Sequence, residues 1–167
     1  ENGIDVKGIQ SRARQWNAGG PLRFTYLGSL AWQKGVHIAI EAMRGIPASQ
    51  ATLTVYGDQA TFPDYARSLA ASADSSNTQL RGPLPRDAVG PALAQTDVLV
   101  VPSLWYENSP LVVQEAFAAG VPVVASDIGA LAEKVRHDVD GRLCPPGDVK
   151  TWHETLQRLA EHQDEVA

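Results

Sequence analysis

The stretch DVLVVPSLWYENSPLVVQEAFAAGVPVVASD, residues 97–127, reads as strand, helix and strand in succession. Residues 97–103 and 121–126 are continuous apolar runs, with no alternation of polar and apolar positions. Runs of that kind suit strands covered on both faces, as in a parallel sheet between two helical layers. Between them, residues 110–119 carry Leu111, Val112, Val113, Ala116, Phe117, Ala118 and Ala119. That segment is apolar nearly all round, which predicts a buried helix.

The same alternation extends in both directions. Toward the N-terminus, residues 22–28 (LRFTYLG), 51–57 (ATLTVYG) and 78–82 read as strands. Residues 35–45, 63–73 and 86–95 read as helices, the last interrupted by Gly90 and Pro91. Toward the C-terminus come a helix over 131–137, a short strand over 141–145 and a charged, amphipathic helix over 149–161. Residues 1–20 read as a lead-in, with a short helix around 8–16, and residues 21–167 as one domain. Repeated strand–helix alternation predicts an α/β, Rossmann-like, doubly wound and mostly parallel sheet of about six strands, with helices on both faces. Ligands of such sheets bind beyond the carboxyl ends of the strands. The loops after Leu27, Tyr56, Arg81 and Val101 should therefore converge on one edge.

Composition narrows the function. A 167-residue chain with 44% hydrophobic and 20% charged residues is ordinary for a globular protein. A net charge of −5 argues against nonspecific binding to nucleic acid or anionic membrane, though not against a local phosphate site. One cysteine, Cys144, excludes an internal disulfide and fits a reducing, cytoplasmic compartment. No run is long enough to span a bilayer, and the full-length protein is expected in the cytoplasm, free or associated with a membrane. None of the four histidines stands at metal-ligand spacing from Cys, Asp or Glu. No GxSxG elbow or Cys–His pairing points to covalent catalysis.

Chemistry concentrates at the start of the helix over 110–119. Ser109 reads as its N-cap and Pro110 as its first residue, where a missing N–H costs nothing. The amides of Leu111, Val112 and Val113 would then point outward, where the positive end of the helix dipole favours a phosphate. Glu107 lies just before these amides and Glu115 just after. A helix glutamate usually faces solvent. On a helix this apolar, however, a carboxylate needs something to satisfy it, and a ribose diol is the favoured partner. Anion-binding amides beside carboxylates for hydroxyls suit a sugar nucleotide. In GSLAWQKG, residues 28–35, Lys34 is either a solvated loop lysine or a mobile cation for the phosphate. RGPLP, residues 81–85, is a rigid turn that could present backbone groups to a base. The loop after Leu27 lacks both the P-loop pattern and the glycine fingerprint of dinucleotide binders.

Glu107 and Glu115 together match the E-x7-E motif of retaining glycosyltransferases of family four, and PSLWYENSPLVVQEAFAAGVPVVASD (102–127) resembles that family's signature stretch almost throughout. GSLAWQKGVHIAIEAM (28–43) resembles its phosphate loop and first helix, GRLCPPGD (141–148) its last strand, and NGID (2–5) its entry to the second domain. The resemblance implies the C-terminal, donor-binding half of a GT-B fold, with the N-terminal acceptor domain absent from this chain. It also implies a metal-independent transfer from a nucleotide-sugar donor, UDP- or GDP-sugar foremost. The acceptor, a glycan, lipid or small molecule, would be held mainly by the other half. The resemblance gives Glu107 and Lys34 catalytic roles, with Glu107 on the donor sugar and Lys34 on the diphosphate. Glu115 would take the ribose, Ser109, Leu111 and Val112 the diphosphate or sugar, and Arg81, Gly82 and Leu84 the base. Ser29, Asn108 and Pro110 complete the substrate-binding set. The resemblance departs at Ser29, where the family has arginine. Two other readings stand beside it: a related sugar-nucleotide epimerase, and a noncatalytic scaffold, which Ser29 favours.

Overall fold

Successive residues of a strand point to opposite faces, and in this chain both faces are apolar. Val98 and Val100 join a cluster with Phe24 and Trp152, whereas Leu99 and Val101 join another with Val113 and Leu131. The central strand is thus covered on both sides, which is why its sequence shows no polar alternation. The computed structural model describes Ile9 and residues 19–73, 76–108 and 110–166. Its strands are β1 (Leu22–Leu27), β2 (Ala51–Tyr56), β3 (Thr78–Arg81), β4 (Val98–Val101), β5 (Val123–Ser126) and β6 (Gly141–Cys144). They form one six-stranded sheet in the order β3-β2-β1-β4-β5-β6. Every pairing is parallel.

The helices are α1 (Val36–Ala42), α2 (Pro63–Ser72), α3 (Val89–Ala94), α4 (Leu111–Ala118), α5 (Gly129–Lys134) and α6 (Val149–Glu161). Ile40 of α1, Leu69 of α2 and Trp152 of α6 cover one face. Leu93 of α3, Val113 of α4 and Leu131 of α5 cover the other. Arg23 clamps the central pair of strands: its Nε and Nη2 reach the carboxylate of Asp97 at 2.9 and 2.8 Å, and its backbone N–H donates to the same group at 2.8 Å. After β1 the chain winds outward to β2 and β3, then returns past β1 to lay down β4. The loops leaving β1 and β4 therefore diverge, and a crevice opens at their carboxyl ends.

Several expected boundaries move. The helix expected over 86–95 is a 3-10 turn, Arg86–Ala88, followed by α3. Gly90 and Pro91 do not interrupt it, because Pro91 falls in the first turn of α3, where no N–H is required. The helix expected over 131–137 starts at Gly129 and stops at Lys134, since Val135 turns to extended backbone. Of the expected lead-in helix, Ile9 is helical and buried against the cluster of Leu99 and Val113, while residues 1–8 and 10–18 lie outside the described residues. Helix α4 is not buried all round: Val113, Glu115 and Ala116 are buried, but Leu111, Val112 and Phe117 are half-buried. Among the described residues no helix is long and apolar enough to cross a membrane.

Candidate functional site

The loops that leave β1 and β4 are stitched together. The N–H of Leu104 donates to the carbonyl of Gln33 at 2.8 Å. Gly35 takes a left-handed conformation, φ 66°, and a Cβ there would lie 1.9 Å from the carbonyl oxygen of Pro102. Only glycine allows both that φ and that approach. The seam fixes the 3-10 turn Trp32–Lys34, so that Nζ of Lys34 lies 2.7 and 2.9 Å from the two carboxylate oxygens of Glu107. Ser103, buried at the end of β4, donates its hydroxyl to the same carboxylate at 2.7 Å. Tyr26 lies beneath and donates to the carbonyl of Ser29 at 2.8 Å. Its burial pushes its phenol well above the ordinary value, and the charge of Glu107 adds to the effect.

Helix α4 begins one residue later than expected. Pro110 is extended, with φ −70° and ψ 90°, and occupies the N-cap position rather than the first helical one. Ser109, the expected cap, lies outside the described residues. The N–H of Val113 is spent on the carbonyl of Pro110 at 3.1 Å. The N–H groups of Leu111 and Val112 have no backbone acceptor among the described residues. Among the described residues, two amides of the helix start are thus left without an acceptor, where three were expected.

Glu115 is buried, with 5% of its surface exposed, as its apolar helix demanded. A ribose diol was the favoured partner for it; within the chain, Nη1 of Arg86 donates to its Oε1 and forms an ion pair with it. Arg86 was not among the residues expected from the sequence. Its one signal is general: a buried carboxylate requires a cation or donor somewhere nearby, and Arg86 stands two residues after Leu84.

A cleft of about 420 Å3 runs between these elements, lined by Ser29, Leu84, Arg86, Leu111, Val112 and Glu115, among others. Ser29, Leu84, Leu111, Val112 and Glu115 were expected at the site, and the structure brings them to one cleft. Lys34 and Glu107 sit outside its lining, on the two loops that border it. Arg81 lines an adjoining cleft of about 380 Å3, which shares Leu84 and Tyr56 with the first. Gly82 and Asn108 are exposed. Trp32, Trp105 and Tyr106 stand on the same two loops and are 62%, 69% and 68% exposed. A larger cavity of about 690 Å3 opens at the opposite edge, around the starts of β4, β5 and β6. It holds none of these residues, and in an open parallel sheet the carboxyl edge is where ligands bind. Among the described residues no three His, Cys, Asp or Glu side chains converge as a metal-ligand set.

Known proteins share this chain's sequence and fold. Residues 21–162 match the family described as "Glycosyl transferases group 1". The chain is 37% identical over 153 residues to the glycogen synthase of Mycobacterium tuberculosis, an alignment that covers 89% of this chain and 36% of that protein. It is 30% identical over 156 residues to the amylovoran biosynthesis glycosyltransferase AmsK of Erwinia amylovora, covering 87% of this chain and 38% of that one. The crystal structure of Anabaena HepE in complex with UDP and glucose superposes with a TM-score of 0.84 at 23% identity, over 99% of this chain and 47% of that one. Sucrose-phosphate synthase from Thermosynechococcus elongatus gives 0.82 at 24% identity, over 98% and 43%. At such identities the structures establish the fold, that of GT-B glycosyltransferases. The chain spans well under half the length of the curated relatives it matches.

Proposed function

Because the chain belongs to the group 1 glycosyl transferase family, we propose that it binds the nucleotide-sugar donor of a retaining, metal-independent glycosyltransferase and forms the donor half of a longer enzyme. One observation carries this reading: two carboxylate–cation pairs, Lys34–Glu107 and Arg86–Glu115, flank two amides of α4 that have no acceptor among the described residues, at the edge of a parallel sheet. That edge offers an acceptor set for hydroxyls next to a donor set for phosphates.

In the proposed complex the base lies against the Pro83–Leu84 turn, with Arg81 and Gly82 at its border, and the ribose hydroxyls reach Glu115. The diphosphate lies along Ser29 and the amides of Leu111 and Val112. The transferred sugar sits under Glu107 and Asn108, where Glu107 accepts its hydroxyls. Transfer breaks the bond between the anomeric carbon and the β-phosphate oxygen, through an oxocarbenium-like state. The acceptor oxygen bonds to that carbon, and its proton passes to the departing diphosphate. Charge grows on the leaving group as the bond breaks, so a fixed cation and fixed dipoles lower the barrier. Lys34 is that cation and α4 supplies the dipoles. The acceptor would be held by the other half of the enzyme. A UDP-sugar is the first donor to test, since HepE, which shares the fold, was crystallised with UDP and with UDP-glucose.

The test is calorimetric titration of the chain with UDP, GDP and ADP, with magnesium and with chelator. The reading expects one nucleotide to bind equally well in both, and to bind about tenfold or more weakly to Glu115→Ala, the loss of one charge-assisted contact. Failure of all three nucleotides to bind, or binding that requires the metal, would overturn it.

A further inference from the structure

The two carboxylates of the site are not held alike. Glu107 is held from two sides: both its oxygens receive Lys34 and one also receives Ser103, which leaves room on Oε2 for one further donor. Glu115 receives a single hydrogen bond, from Nη1 of Arg86 to Oε1. Its Oε2 has no partner among the described residues, and the side chain lines the cleft. The Arg86 side chain is 64% exposed against 6% for Glu115, and both line the 420 Å3 cleft. Its guanidinium keeps Nε and Nη2 unspent among the described residues. Among the described residues, then, an unpartnered acceptor and unpartnered donors stand side by side in the cleft, tied to each other by an ion pair.

That pairing matches the chemistry of a vicinal diol. Each hydroxyl offers one proton and two lone pairs. A carboxylate alone can take the protons but leaves the oxygens without donors. A guanidinium fixed beside it supplies those donors in a rigid fork. Building on the nucleotide reading, we infer that Arg86 is a specificity-determining residue, which with Glu115 reads the ribose cis-diol and favours ribonucleotides over their 2′-deoxy counterparts. Arg86 is positioned for this by Pro83 and Pro85, which stiffen the turn before it, and by the carboxylate it meets.

The test compares each bound nucleotide with its 2′-deoxy form, UDP with 2′-deoxy-UDP in the first instance, by titration of the wild-type chain, Arg86→Ala and Arg86→Lys. The lysine variant keeps a cation beside Glu115, and so keeps the fold, while it removes the fork. The wild type should prefer the ribonucleotide by about tenfold. In both variants that ratio should fall, through weaker ribonucleotide binding with the 2′-deoxy affinity little changed. Equal weakening of both nucleotides would place Arg86 on the phosphates and overturn the inference. Tighter binding of both would show that Arg86 merely blocks the site, and an unchanged ratio would show that it does not read the diol. Wild-type chain that binds no nucleotide at all would instead bring down the donor-site reading and this inference with it.

Discussion

Nζ of Lys34 lies 2.7 and 2.9 Å from the two carboxylate oxygens of Glu107, across 73 residues of sequence. The contact joins the loop after β1 to the loop after β4, the two loops that the sheet order forces apart. It also places a cation where a departing phosphate would need one. Lys34→Ala should therefore weaken binding of the cognate nucleoside diphosphate by about 1–3 kcal/mol, with a smaller effect on the nucleoside. Stability should change less. A double-mutant cycle of Lys34→Met and Glu107→Gln in urea should return a coupling of at most about 1 kcal/mol, as for partly exposed pairs. A coupling well above that would make the pair structural rather than functional.

Gly35→Ala should destabilise the chain by at least about 1–3 kcal/mol, from the positive φ alone. The clash with the Pro102 carbonyl adds to this, and relieving it would move Lys34 away from Glu107. Urea unfolding and nucleotide titration of the same variant check both consequences. An alanine variant with wild-type stability would contradict the packing described for this seam.

Asp97 is 1% exposed and satisfies Arg23 at the point where β4 joins β1. Asp97→Ala should remove the carboxylate from a guanidinium that is 25% exposed and lower stability by about 1–3 kcal/mol, the range for losing charge-assisted hydrogen bonds. Equilibrium unfolding measures it. Nucleotide affinity of the folded fraction should be nearly unchanged, because Asp97 lies at the far end of the strand from the cleft.

His37 is held partly buried under Trp32, with ring centroids 5.8 Å apart, and its Nδ1 meets the Tyr65 hydroxyl at 2.6 Å. The same hydroxyl accepts the His37 backbone N–H. Burial lowers the pKa of the imidazole from its ordinary value. A folded-state pKa below the unfolded one means that the unfolded chain binds the proton more readily. The contribution is present in full above the ordinary imidazole range, and it is lost as pH falls through the folded value. Thermal unfolding from about pH 8 to about pH 5 should show a decline below about pH 6.5 that is smaller in His37→Gln. Identical profiles for the two proteins would contradict this.

The sheet was legible because both of its faces are covered. Runs such as Asp97–Ser103 and 121–126 carry that fact in composition alone, and the loops that follow them had to reach one edge. Glu107, Glu115 and Lys34 were legible as residues through spacing and helix-start chemistry. Their partners were not. Arg86 stands 29 residues from Glu115, on a short 3-10 turn with no periodic pattern, and no local rule links such positions. Pro110 was misplaced by one step because proline's fixed φ fits the first helical residue, whereas its ψ of 90° leaves it extended at the N-cap, and ψ is not legible in sequence. The burial of α4 was overstated for a related reason. Apolar composition does not separate a side chain packed in the core from one that lines a cleft, and Leu111 and Val112 do the latter.

The central claim is the location of the nucleotide, and amide chemical-shift mapping of the isotopically labelled chain tests it most directly. On addition of UDP, or of whichever nucleotide the chain prefers, the largest changes should fall on Gly28, Ser29, Leu84, Leu111, Val112 and the Arg86 side chain, around the 420 Å3 cleft. Changes centred instead on Val121, Val123, Asp140 and Arg142, at the larger cavity on the opposite edge, would contradict the account.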